Sequence, residues 1–186
     1  MTGNETQHSL PANIDALKDQ LPDYAKDIRL NLSGVIKEDP ASGLTLAQVQ
    51  GIALASAYAT RNPALIAAIT GETAATLSPE EINAAKAAAT IMAMSNIYYR
   101  STYMTGDDEI GRLPAGLRMN VIGNPGIDKV TFELYALAVS AINGCSACIA
   151  AHNKTVQDHG LSKVAVQHSF RIAAVLNAAA QGLSIA

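Results

Sequence analysis

The chain has 186 residues, 49% of them apolar and 16% charged, with a formal net charge of −3 and no tryptophan. That balance can bury a sizeable core and excludes a disordered chain. It also offers no long basic run for nucleic acid to bind.

The opening stretch "MTGNETQHSLPANIDALKDQ" lacks the basic-then-apolar pattern of a secretory leader, and no later stretch reaches the length of a membrane span. A cytoplasmic location is therefore expected, where thiols are kept reduced. Pro22 should open a helix at its first turn, carrying Tyr24, Ile28 and Leu32 at four-residue spacing. "EDPASG", which ends at Gly43, interrupts the chain, and Thr45 then caps an alanine-rich helix running to about Asn62–Pro63. "SPEE" at Ser78 to Glu81 has a cap residue, a proline in the first position and a glutamate that can reach back, so a long helix should follow and end before Gly106. "GRLPAGLRMNVIGNPG" reads as a loop. Asp128 starts a helix that stops at Asn143–Gly144, a short helix covers about Ser146 to Asp158 before Gly160, and Ser162 caps the last one. No segment alternates as a strand would. The expected fold class is all-α, one domain over residues 1–186.

The second half echoes the first at an ungapped offset of 84 residues. Ser56 and Ala57 fall on Ser140 and Ala141, Ser78 on Ser162, and Ile91 and Met92 on Val175 and Leu176. The pattern suggests a duplicated helical unit, roughly residues 45–105 and 129–186, packed face to face. Chance alignment of alanine-rich helices is the plainer alternative. If the duplication is real, the chemistry belongs to the second copy. At this offset Val49, Arg61, Ala64 and Ala68 stand where that copy has Glu133, Cys145, Cys148 and His152.

Both cysteines of the chain lie in "NGCSACIAAHNKTV". Cys145 sits at the mouth of a helix and Cys148 in or near its first turn, where free backbone N–H groups and the helix dipole favour a thiolate. Two cysteines three apart at a helix start have the spacing of a redox-active dithiol. His152 follows Cys148 by one turn on the same face and can take a thiol proton or pair with a thiolate. Glu133, twelve residues before Cys145, interrupts an otherwise apolar or small stripe and needs a partner if buried. Zinc is the rival reading, with two thiolates, an imidazole and a carboxylate as ligands, although a structural site ordinarily draws on a second paired motif. His8, His159 and His168 are scattered and supply none. A zinc-stabilised or redox-sensing helical protein without enzymatic activity thus stands beside a thiol enzyme at this stage.

The stretch "FELYALAVSAINGCSACIAAHNKTV" resembles the signature of the AhpD-like alkylhydroperoxidases, within the carboxymuconolactone decarboxylase superfamily. Glu133, Cys145, Cys148 and His152 match the family's four positions and spacings, and "MAMSNIYYR", Met92 to Arg100, is similar to its segment on the long helix of the first unit. One departure is Ala147, where members often carry a histidine. The resemblance implies a thiol peroxidase that needs no flavin, haem or metal. Cys148, activated through His152, Glu133 and a bridging water, would become a sulfenic acid, and Cys145 would donate a proton and then close a disulfide with it. The spacing alone leaves the nucleophile open: Cys145 is nearer the helix mouth, while His152 is nearer Cys148. The resemblance also implies reduction by a dihydrolipoyl group on an acyltransferase, regeneration of the peroxiredoxin AhpC, and a homotrimer. Decarboxylation, found in the wider superfamily, does not call for the paired cysteines.

Overall fold

The computed structural model describes residues 10–186, and every regular element among them is helical. His8 and the first part of the opening stretch lie outside the described residues. In chain order the α-helices are α1 (Ile14–Lys18), α2 (Lys26–Val35), α3 (Leu46–Thr60), α4 (Pro63–Thr73), α5 (Pro79–Met104), α6 (Asp108–Arg112), α7 (Asn120–Gly123), α8 (Lys129–Asn143), α9 (Ser146–Asp158) and α10 (Lys163–Ser184), with a 3₁₀ turn at Asp23–Ala25. No helix among the described residues is long and apolar enough to cross a membrane.

Local chemistry accounts for most of the helix starts. Thr45 and Gln48 form a capping box at α3, and Ser78 and Glu81 form another at α5. Asp128 and Ser162 cap α8 and α10 through single side-chain bonds. The departures from expectation are also local. Pro22 precedes the 3₁₀ turn instead of opening an α-helix, and Tyr24 is exposed, so only Leu32 of the four-spaced set is fully buried. The five-residue α1 was not foreseen; Asn13 caps it, and it buries Ile14 and Leu17. The stretch read as a loop contains the last two residues of α6 and all of α7, each helix too short for a periodic pattern to reveal.

α3 and α8 form the centre. Both are 15 residues long, and each is buried over nearly all its middle, from Val49 to Ala57 and from Thr131 to Ser140. A helix apolar all round has to be enclosed by others. α3 packs on α8, and both also pack against α5 and α10. The two central helices meet closely because residue 51 is glycine: a Cβ there would stand 1.9 Å from the buried Tyr135 hydroxyl.

α3–α4–α5 and α8–α9–α10 share one order and one set of caps, but the ungapped offset needs correction. The caps Thr45 and Asp128, and Asn62 and Cys145, are 83 residues apart, whereas Ser78 and Ser162 are 84 apart. One extra residue lies between the starts of α9 and α10. The places matching Glu133, Cys145, Cys148 and His152 are therefore Gln50, Asn62, Leu65 and Ile69. Each long helix packs on both central helices; α5 also lies against α9 of the other unit, and α10 against α4 and α9.

Candidate active site

α8 ends at Gly144, whose φ of +68° is a left-handed conformation that glycine takes without a Cβ penalty. The turn sends the chain back along α8, and the Cys145 N–H returns to the Ser140 carbonyl at 3.2 Å. Arg100 of α5 adds a bond to the Asn143 carbonyl, tying down the C-terminus of α8. Cys145 then acts as N-cap of α9. Its sulfur accepts the Cys148 N–H at 3.3 Å. The sulfur thus does what an Asx or Ser oxygen ordinarily does at this place, and it is fully buried.

The hairpin of α8 and α9 brings Glu133 to His152. Oε2 of the carboxylate lies 2.6 Å from Nδ1 of the imidazole, and both side chains are buried. A carboxylate at that depth costs free energy unless a donor meets it, and the imidazole is that donor. Nε2 of His152 lies 3.2 Å from the thioether of Met92 on α5. All four residues singled out in the sequence therefore stand at one place. Cys148 touches Cys145, His152 touches Glu133, and Cys148 and His152 face one cavity. The other histidines stand apart: His168 is paired with Asp39, and His159 bonds the Thr155 carbonyl.

That cavity has a volume of about 520 Å³. Met92 and Tyr99 of α5 and Met119 and Ile122 near α7 supply apolar lining, and Cys148 and His152 line the same cavity. Ala147 lies at its edge and adds no titratable group. Burial pushes the Cys148 thiol up to about 11; a hydrogen bond with the Cys145 thiol adds to the rise, and one with the Asn96 side chain opposes it. A thiol raised in this way stays protonated at neutral pH, so it needs a neighbouring base to react. Among the described residues no three His, Cys, Asp or Glu side chains converge as metal ligands. The imidazole turns its nitrogens to Glu133 and Met92.

Sequence reasoning did not single out the α5 residues Met92 and Asn96, although both lie within the quoted "MAMSNIYYR". Asn96 is fully buried and bonds Ser140 and Asn143 of α8. The available signal was spacing: Met92, Asn96 and Arg100 recur every four residues and so share one face of α5.

Residues 108–186 match the model of the carboxymuconolactone decarboxylase family. The chain is 58% identical over 168 residues to a protein of Coxiella burnetii named alkyl hydroperoxide reductase AhpD, covering 90% of this chain and 95% of that one. Proteins of the same name from Azorhizobium caulinodans and Streptomyces coelicolor are each 49% identical, over 174 and 166 residues, which is 94% and 89% of this chain and 94% and 92% of theirs. With relatives matched at 49–58% identity over nearly their whole length, the chain belongs to the AhpD-like branch of the carboxymuconolactone decarboxylase family.

Proposed function

We propose that this protein is a thiol-dependent peroxidase that reduces alkyl hydroperoxides through a Cys145–Cys148 dithiol/disulfide cycle. The relatives' name, alkyl hydroperoxide reductase, supports the activity at large. The observation that carries the cycle is a buried thiol beside a second thiol, facing an apolar cavity shared with a carboxylate-backed imidazole.

The steps follow from what each group can do. A hydroperoxide ROOH enters the cavity with its alkyl group against Met119 and Ile122. His152, held by Glu133, takes the Cys148 proton directly or through a water, and the imidazolium that forms is stabilised by the carboxylate. The thiolate attacks the terminal peroxide oxygen. The O–O bond breaks, Cys148 is oxidised to the sulfenic acid, and the departing alkoxide takes a proton and leaves as ROH. The thiol of Cys145 supplies that proton. The Cys145 thiolate then displaces hydroxide from the sulfenic sulfur, and the hydroxide takes the proton held by His152, giving the disulfide and water. An external dithiol reopens it by exchange, restoring two thiols and leaving oxidised as its own cyclic disulfide.

For that donor we infer a dihydrolipoyl group carried on an acyltransferase, and for onward transfer an AhpC-type peroxiredoxin, with the protein acting in the cytoplasm as a homotrimer. Peroxide turnover with dihydrolipoamide as reductant tests the activity. Stoichiometric bound zinc and no turnover would return the protein to the reading of a metal-stabilised helical module.

A further inference from the structure

We propose that Met92 of α5 is a positioning residue for the thiol chemistry, its sulfur accepting the Nε2–H of His152 once the imidazole has taken the Cys148 proton. The proposal rests on the reading of His152 as that base, but its own content is a contact between the thioether and the ring.

Sδ of Met92 lies 3.2 Å from Nε2 of His152. A neutral imidazole has one donor nitrogen and one acceptor. Nδ1 is the donor here, because it faces the Glu133 carboxylate at 2.6 Å. Nε2 of the neutral ring is therefore a lone pair, and a thioether has no proton to offer it. The contact becomes a hydrogen bond only when Nε2 carries a proton, the state the ring reaches after deprotonating the thiol. Both ring N–H groups then have an acceptor, Glu133 on one side and Met92 on the other, and no buried donor is left open. The sulfur is itself held in place. Met92 is 1% exposed, and Ser140 Oγ and Asn96 Nδ2 donate to the same sulfur at 3.5 and 3.8 Å.

Helix packing does not ask for this arrangement. By the Ser78 and Ser162 caps, Met92 and Asn96 match Leu176 and Ala180 on α10; by the Thr45 and Asp128 caps, Ser140 matches Ala57 on α3. All three counterparts are buried and apolar. The thioether and its two donors therefore occur only where the imidazole is. A weak acceptor suits a proton that must later pass to the leaving hydroxide, because it supports the charged ring without trapping it. Glu133 of α8 is the charged group in contact with the ring, and Cys148 of α9 and Tyr99 of α5 line the cavity beside it. Among the described residues no ion pair or hydrogen bond joins the ring to α10.

The test compares the full chain with and without Met92→Leu, which copies Leu176. Loss of one acceptor for a charged donor should lower kcat/KM for an alkyl hydroperoxide, with dihydrolipoamide as reductant, about tenfold at neutral pH. It should also move the acid limb of the rate–pH profile to lower pH, because a ring with less support for its second proton gives that proton up sooner. A merely structural role would lower the rate and leave the limb where it was. In the unsubstituted, reduced chain the Met92 methyl signal, followed by NMR, should shift at the same pH as the His152 ring signals, a readout that needs no variant to fold. An unmoved limb in a folded Met92→Leu protein, or a methyl signal indifferent to the ring, overturns the proposal. If the methyl follows the ring while His152→Ile leaves peroxide turnover unchanged, the contact stands and the reading of His152 as the base falls.

Discussion

The junction between α3 and α4 and the junction between α8 and α9 are the same piece of architecture with opposite chemistry. Each joins a 15-residue central helix to a shorter one through a left-handed residue, Arg61 at φ +60° and Gly144 at φ +68°. Each is followed by a capping side chain, the Asn62 carboxamide in one and the Cys145 sulfur in the other. Beyond the caps the first junction carries Leu65 and Ile69, both fully buried, where the second carries Cys148 and His152. Gln50 stands where the second has Glu133. The scaffold is thus satisfied by two aliphatic side chains and a neutral amide. A buried carboxylate and imidazole bring desolvation costs that packing does not require, so their presence at one junction points to the reaction.

The sharpest way to break the comparison is to remove the sulfur that makes the difference. Cys148→Ser should abolish reaction with peroxide while keeping the fold. Cys145→Ser should react once and accumulate a sulfenic acid on Cys148, which dimedone labelling and peptide mass analysis would locate. An adduct on Cys145 in the Cys148→Ser protein, with none on Cys148 in the other, reverses the assignment. Next in size is the acid–base pair. Glu133→Gln and His152→Ile make the second junction match the first, and each should lower peroxidase kcat/KM by roughly 10²–10⁴-fold with a cooperative melt retained. A variant that melts far lower but turns over normally would show that residue to be structural.

A smaller effect lies in alkaline stability. The folded Cys148 thiol, at about 11, sits above its ordinary value of 9.0. Below pH 9 both states keep the proton. Between about 9 and 11 the unfolded chain releases it while the folded chain holds it, so stability falls as pH rises through that window, on the order of 1–3 kcal/mol in total. Cys148→Leu, which copies Leu65, should flatten that part of the urea-unfolding curve against pH. An unchanged slope would mean that the thiol is not held neutral by its surroundings.

Legibility in the sequence followed the range of the interactions. Thr45, Ser78 and Ser162 were readable as caps because a cap answers to residues two or three positions away. Gly144 was readable as a stop for the same reason. The cysteine pair and His152 share one helix, so their spacing already placed them together, whereas Glu133 required the antiparallel return that the Gly144 turn supplies. Asn96 and Met92 depend on α5 crossing onto α8 and α9, a contact between residues more than forty apart that no local pattern encodes. The one-residue slip between the two halves was hidden because alanine matches alanine in either register.

The finest test of the comparison sets the same substitution against both caps. Asn62 accepts the Leu65 N–H at 3.0 Å and uses its Nδ2 to reach the Ala180 carbonyl at 3.3 Å and Ser184 Oγ at 3.2 Å. Serine can replace the first bond but not both of the others, so Asn62→Ser should cost about 1 kcal/mol. Cys145 offers only a sulfur at 3.3 Å to the Cys148 N–H, and sulfur is a weak acceptor. A serine oxygen there is among the preferred N-caps and close to the cysteine in size, so Cys145→Ser should gain a few tenths of a kcal/mol, measured by urea unfolding against the reduced parent. Opposite signs at matching positions would mean that the second junction gives up helix capping to keep a thiol beside Cys148. A loss at both would show instead that the Cys145 sulfur is held by its packing, and the stability argument for a chemical role at that position would fall.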